Sequence, residues 1–522
     1  MNSNLINFFM FGNQENELTL EKKLYQLIIS RLDGYHLHSQ AYQKEIFQLV
    51  EKGISGFIIF GGRRDEVKGF INKIQSISGI PLFIASDVEC GVGQQIQDTT
   101  MFPCNMAMAA AIDRDKPDDI NILKSALKAI AQESIDVGIN MPLIPVLDVN
   151  QDPNNPIICT RAFSDNPGDV AWFGLRYIRE LEGSGLISCA KHFPGHGDTA
   201  IDSHISLPVI TKSFKDLIKI DLLPFIEAIK AKVSSIMVGH LSIPAIDSKP
   251  ASLSKKIITD LLREELGFRG LILTDALNMN ALKDLGYVAT ECVKAGADIL
   301  LHPQDADLTV KELNLAVNRN IISEIDIDTS INRILKAKAK IQNMITPLCP
   351  PLVRGELKGG EVDYKSHKIL VSKITDISIT LLKNKARLPI SDKTKVHTVL
   401  SGENNFFEFS PLRDYFENVS TVAYVKGLKD KIALFAIFTS VTAGKGTSGI
   451  DDVEKEEISA LMKKAETSIV VSFGCPYVLR YFKEADMLIA AYEATEQAQR
   501  AVVKCLRGEM DFKGKLPVKI NL

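Results

Sequence analysis

Over its first 345 residues the chain repeats one pattern: a short, nearly unbroken apolar run closing on a polar residue, then a longer amphipathic stretch. The apolar runs are QLIIS (26–30), GFIIF (56–60), PLFIAS (81–86), MPLIPVLD (141–148), LISCAKH (186–192), SSIMVGH (234–240), LILTDA (271–276) and ADILLHP (297–303). Runs of this length without polar alternation predict strands buried on both faces, the habit of parallel sheets. The intervening stretches, QAYQKEIFQLVEKG and SKKIITDLLREELGFRG among them, read as helices closing on glycine near a basic residue. Eight such units predict an α/β fold, a (β/α)8 TIM barrel over residues 1–345.

From Thr346 the pattern stops. PLCPPLVRGELKGG has proline and glycine at linker density, and 346–366 is expected to be a linker. Beyond it KVHTVLSG, TVAYVKG, KIALFAIFTS, TSIVVSFG and DMLIAAYEAT read as strands, and VEKEEISALMKKA and TEQAQRAVVKCL as helices. They predict a smaller α/β sandwich domain over 367–522. Its histidines are His367 and His397, with no acid–histidine cluster, so the chemistry is expected in the barrel.

Composition narrows the classes. With 61 basic against 64 acidic residues, a net charge of −3 and no Lys/Arg-rich tract, neither a nucleic acid nor an anionic membrane is an expected partner. The eight cysteines are scattered without a C-x-x-C pair, which disfavours a zinc ribbon or a disulfide framework. The opening MNSNLINFFMFG lacks the basic start and small-residue cleavage site of a signal peptide. No apolar stretch reaches the roughly 18–20 residues of a membrane span. The expectation is a cytoplasmic protein.

Barrel enzymes place their sites where the strands end. Here the strand ends carry Arg31, Asp33, Asp87, Asp148, Lys191, His192, His240, Asp275 and His302. One stretch, KHFPGHGDTAIDSH (191–204), holds three of the chain's nine histidines. Three chemistries compete for these residues. A metal-dependent hydrolase would use His36, His38, His192, His240 and Asp275, but the H-x-H lies beyond the Asp33-Gly34 turn instead of on a strand. A substrate-assisted reaction needs an adjacent Asp-Glu pair, and Asp65-Glu66 is better explained as a dipole partner of a helix N-terminus. Double displacement at a sugar carbon needs a rigid carboxylate nucleophile and a proton donor that can also act as a base. Asp275 at a strand end suits the first role, and His204, with Asp202 two residues before it, suits the second. His196 is a rival donor without a carboxylate at i−2. This chemistry calls for no cofactor and no metal.

KHFPGHGDTAIDSH resembles the KH-[FI]-PG-x-G-x4-D-[ST]-H signature of family 3 glycoside hydrolases, in particular their two-domain bacterial β-N-acetylglucosaminidases. The resemblance extends through LIISRLDG, NPIICTRAFSDNP, TDALNM, SITLLKN and GKLPVKI, nearly the whole chain. It implies a β-N-acetylhexosaminidase acting on peptidoglycan fragments, with a small N-acetylglucosaminyl, muropeptide-like carbohydrate as substrate. Asp275 would be the nucleophile, His204 the acid/base and Asp202 its partner. Asp87, Arg161, Lys191 and His192 would hold the ring. Where the family reads D-Q-E-G-G-R-V-Q-R, this chain has Asp87-Val-Glu-Cys-Gly-Val-Gly-Gln-Gln95, with Val92 and Gln95 in place of the arginines. A family 3 β-glucosidase or β-xylosidase is the alternative, with a non-catalytic sugar-binding protein built on this barrel as a third reading. Many family 3 β-glucosidases take their acid from a glutamate in the second domain, whereas a chain ending near Asn343 would here keep every proposed catalytic group.

Overall fold

Each of the eight apolar runs contributes a strand to the computed structural model, which describes residues 18–345, 362–390, 393–408 and 410–522. They are β1 (Ile28–Asp33), β2 (Gly56–Phe60), β3 (Phe83–Ser86), β4 (Met141–Pro142), β5 (Cys189–Phe193) and β6 (Ser235–Val238), then β9 (Leu271–Thr274) and β10 (Leu300–Leu301). Between β6 and β9 lies an antiparallel hairpin, β7 (Ser242–Ile243) and β8 (Asp247–Pro250). It is too short and too polar for the apolar pattern to signal.

The strands of the eight apolar runs form two curled parallel sheets, ordered β10-β1-β2-β3-β4 and β5-β6-β9. Single parallel bridges, Val146 to Lys191 and Leu273 to Ile299, join the sheets at both seams. β3, β6 and β9 are buried along their whole length, as their mostly apolar pattern requires, and so is β5, whose Lys191 and His192 are buried against carboxylates. Register is enforced by close approach: a Cβ at Gly56 would lie 2.1 Å from the Phe83 carbonyl oxygen. The helices follow the expected end signals. Ser39 caps Gln40–Glu51 through its hydroxyl, and Pro117–Val137 starts on proline and ends on left-handed Gly138. The segment read as a helix after Ser254 winds as a π-helix over Lys256–Glu265.

The second unit is a mixed sheet ordered β11-β16-β15-β14-β12-β13. Its strands are β11 (Thr380–Asn384), β12 (Val396–Gly402), β13 (Asn418–Thr421), β14 (Ile432–Phe438), β15 (Thr467–Phe473) and β16 (Met487–Ala490). Only β11 runs antiparallel. The strand expected at Thr421–Gly427 is displaced: β13 ends at Thr421, and Val422–Tyr424 forms a 3-10 turn. As an edge strand paired with β12 alone, β13 is half-buried and carries little apolar signal.

Most of the expected linker, residues 346–361, lies outside the described residues. The helix Tyr364–Ser378 begins before the expected domain start at 367, and it packs into both units. Its Val371 and Ile374 join the core of the first unit. A second core mixes Cys104, Met106, Ala107, Ala110 and Cys159 of the first unit with Val399, Phe435, Tyr477 and Tyr492 of the second.

Candidate active site

Asp87 and Glu89 leave the end of β3, and Lys191 lies on β5. The Lys191 ammonium, 1% exposed, bridges Asp87 Oδ1 at 2.6 Å and Glu89 Oε1 at 2.7 Å. Arg161, in the 3-10 turn Cys159–Arg161, donates two parallel hydrogen bonds to the Glu89 carboxylate at 2.8 Å each. Burial opposes ionisation of Glu89, but Arg161 and Lys191 outweigh it and hold the carboxyl well below its usual range. Burial likewise disfavours the Lys191 ammonium, yet Asp87 and Glu89 raise its pKa. Two cations thus face two carboxylates in a fixed array, suited to gripping the hydroxyls of a neutral sugar. Sequence reasoning found Asp87, Arg161 and Lys191 but missed Glu89. Glu89 stands at i+2 from Asp87, so that both carboxylates reach the one ammonium.

His192 follows Lys191, and its Nδ1–H donates to Asp148 Oδ2 at 2.7 Å. The other Asp148 oxygen accepts the main-chain N–H groups of His192 at 3.3 Å and His196 at 2.7 Å. Burial pushes the Asp148 carboxyl up, but the two histidines bring its pKa below the usual value. The rival donor His196 is placed differently from His204. It is buried, its Nδ1 is paired with the Thr199 hydroxyl at 2.9 Å, and its Nε2 has no partner. Burial lowers its pKa to about 4, so the ring is neutral where a general acid must be charged.

Asp275 directly follows β9, and its N–H continues the ladder by donating to the Val238 carbonyl at 2.9 Å. Its Oδ1 accepts the Ala276 N–H at 2.8 Å. Burial disfavours the charged carboxylate, but His192, His240, the Ala276 N–H and His204 together keep it ionised below the ordinary range. His240 is a prop for this turn. Its Nε2–H donates to the Ala276 carbonyl at 3.1 Å, and its Nδ1 accepts from the Ser252 hydroxyl at 2.8 Å.

His204 sits on the loop after β5. Its Nδ1–H donates to Asp202 Oδ1 at 2.9 Å, which leaves Nε2 as the atom that can exchange a proton. The Asp202 side chain is fully buried, whereas that of His204 is 36% exposed. Asn280, beyond Asp275 in the chain, donates to the His204 carbonyl at 2.9 Å and ties the two loops together. The glycines upstream serve packing. A Cβ at Gly197 would come within 1.8 Å of the Val149 oxygen, and Gly195 holds φ at +124°.

Of the residues of the metal reading, His192 and His240 lie near Asp275. His36 stands apart, 65% exposed beside Asp33, and among the described residues no group of three or more His, Cys, Asp or Glu side chains is arranged to hold a metal ion. Asp65 opens the exposed first turn of the helix Arg64–Ile77 and pairs with Arg64. Val92 is buried in the core, so no polar group replaces the family arginine at that position.

Comparison with known proteins places the chain in a family. The model of the glycosyl hydrolase family 3 N-terminal domain matches residues 19–337. The chain is 30% identical over 515 residues to a protein of Pseudoalteromonas piscicida named beta-hexosaminidase A, covering 86% of this chain and 84% of that one. It is 30% identical over 285 residues to a Cellulomonas fimi protein named beta-N-acetylglucosaminidase/beta-glucosidase, covering 52% of this chain and 50% of the other. A solved family 3 beta-N-acetylglucosaminidase from Paenibacillus sp. str. FPU-7 superposes with a TM-score of 0.81 at 29% identity, over 96% of this chain and 99% of that one. The chain belongs to glycoside hydrolase family 3.

Proposed function

We propose that the chain is a retaining exo-β-N-acetylglucosaminidase in which Asp275 is the nucleophile and the Asp202–His204 pair the acid/base. The observation that carries this reading is the tethered pair of loops. Asn280 holds the His204 loop against the strand end that presents an ionised Asp275. Asp275 attacks the anomeric carbon while His204 Nε2–H protonates the leaving oxygen, giving a glycosyl ester and a neutral imidazole. That imidazole then takes a proton from water, whose oxygen attacks the same carbon and releases the Asp275 carboxylate. Asp202 orients the ring and fixes its tautomer. Asp87, Arg161, Lys191 and His192 hold the sugar hydroxyls and the acetamido group. The two seam bridges support a single (β/α)8 barrel over 1–345, with 367–522 as a second domain. Peptidoglycan fragments are the substrates that the resemblance favours, and no described helix is long and apolar enough to cross a membrane.

The β-glucosidase reading is favoured by the name of the Cellulomonas fimi relative. Against it, the second-domain segment that reaches the acid/base pair, TSVTAGKGTSG (439–449), contains no carboxylate. Glu403, which anchors that segment, is held below the usual carboxylate range despite burial, by Lys445 and Ser440, and makes a poor acid. Hydrolysis of 4-nitrophenyl N-acetyl-β-glucosaminide and 4-nitrophenyl β-glucoside, measured side by side, tests the choice. The acetamido sugar should lead by orders of magnitude in kcat/KM, and proton NMR should show the β-anomer released first. Preference for the glucoside rejects the reading.

A further inference from the structure

The Asp202 carboxylate has one oxygen for His204 and one for the other domain. Oδ1 takes the His204 N–H and Nδ1–H, while Oδ2 accepts the main-chain N–H of Gly444 at 2.7 Å. Gly444 belongs to the loop after β14 and holds φ at +78°, a conformation that turns its N–H toward the first domain. The same loop packs at Gly446, whose Cβ position lies 3.1 Å from the Ile205 side chain, next to His204. Glu403, after β12, fixes the loop. Its carboxylate accepts the Ser440 N–H at 2.6 Å, the Ser440 hydroxyl at 2.8 Å and the Lys445 ammonium at 2.5 Å. A buried carboxylate with both oxygens bonded in different directions cannot rotate without losing one set.

We infer that the second domain is part of the acid/base assembly: Glu403 and Lys445 hold the 440–446 loop so that the Gly444 N–H locks the rotamer of Asp202 and thereby aims His204. These are positioning residues that touch no reacting atom. The inference rests on the acid/base reading above, and its test separates the two.

Glu403→Ala and, as a milder second change, Lys445→Ala are made in the full chain and compared with His204→Ala. Two substrates are used, 2,4-dinitrophenyl N-acetyl-β-glucosaminide, whose leaving group needs little protonation, and the methyl glycoside, which needs much. If His204 is the acid, His204→Ala loses at least about 100-fold more on the methyl glycoside than on the dinitrophenyl one. Azide then accelerates its turnover of the latter, because azide attacks the glycosyl ester without base assistance, forming a C–N bond as the Asp275 carboxylate departs. Glu403→Ala should show the same signature in smaller size, at least about tenfold selectivity together with azide rescue. Lys445→Ala should lie between it and wild type. A folding defect would lower both substrates equally and would not respond to azide. If His204→Ala is selective while Glu403→Ala and Lys445→Ala lose both substrates equally or neither, the positioning role is overturned and the acid/base reading stands. If His204→Ala itself is not selective, the acid/base reading falls, and this inference with it.

Discussion

Asp202 accepts two hydrogen bonds from His204 through one carboxylate oxygen, from the main-chain N–H at 2.8 Å and from Nδ1–H at 2.9 Å. The main-chain bond fixes where the imidazole starts, and the side-chain bond fixes its tautomer and plane. Asp202→Asn keeps an oxygen for the first and loses the charge behind the second. It should reduce hydrolysis of the methyl glycoside by about 10- to 100-fold, less than His204→Ala, and spare the dinitrophenyl substrate. Equal losses on both substrates in steady-state assays reject an acid/base role for the pair.

Asp275→Asn should remove turnover almost completely. An amide does not attack the anomeric carbon, yet its oxygen can still accept the Ala276 N–H that orders the turn. The expected loss is more than about 100-fold in kcat, with a melting temperature within a few degrees of wild type. A variant keeping more activity than that reassigns the nucleophile.

Much of this was legible in the sequence for a physical reason. A parallel strand buried on both faces must be almost wholly apolar, so LILT and SIMV announce themselves, and the polar residue that ends each run marks the rim. Asp202 and His204 were legible because both bonds between them are local, two residues apart. What escaped depends on long-range placement. Nothing local says that Glu89 will meet Arg161, 72 residues away, or that Gly444 will reach Asp202 across 242 residues. The second-domain edge escaped for another reason: β13 is half-buried and pairs on one side only, so its residues carry no burial signature.

Glu89→Gln should be a stability variant first. The carboxylate is buried between Lys191 and Arg161, and neutralising it leaves the buried Lys191 and the half-buried Arg161 with only Asp87 as a charged partner in the array. Breaking a buried ion pair from one side costs about 3–5 kcal/mol. Urea unfolding followed by tryptophan fluorescence or circular dichroism measures it. A change below about 1 kcal/mol, the range of exposed pairs, would mean that the array is not held by charge.

The pH dependence of stability should carry the mark of His196. Its folded pKa is lowered from 6.5 to about 4 by burial, so the unfolded chain takes up this proton first as the pH falls. The contribution is fully present above about pH 6.5 and is lost progressively as pH falls toward 4. His302, lowered in the same way to about 4, acts in the same direction. Glu493, whose carboxyl burial raises to about 7, acts the other way in part of this window, so the readout is the difference between chains: the melting temperature of His196→Gln should fall less steeply than that of wild type. An unchanged slope in the variant would mean that the buried ring is not the proton acceptor.

A chain cut after Ile345 tests how far the first domain is a unit of its own. It keeps Asp275, His204 and Asp202, which on sequence grounds should suffice. The structure argues otherwise. The cut removes Val371 and Ile374 from the first core, each worth about 1.5–3 kcal/mol when fully buried. It uncovers Cys104, Met106, Ala107, Ala110 and Cys159, which pack against the second sheet. It also removes the Tyr477 hydroxyl from Asn150, the Pro517 carbonyl from Ser164 and the Gly444 N–H from Asp202. The truncated chain should therefore aggregate on gel filtration or melt well below the full protein. Any monomeric fraction should cleave the dinitrophenyl substrate far better than the methyl glycoside, because His204 has lost the contact that aims it. A monodisperse truncated chain with an unchanged melting temperature and full activity on both substrates would show that the second domain contributes neither to folding nor to the acid/base pair.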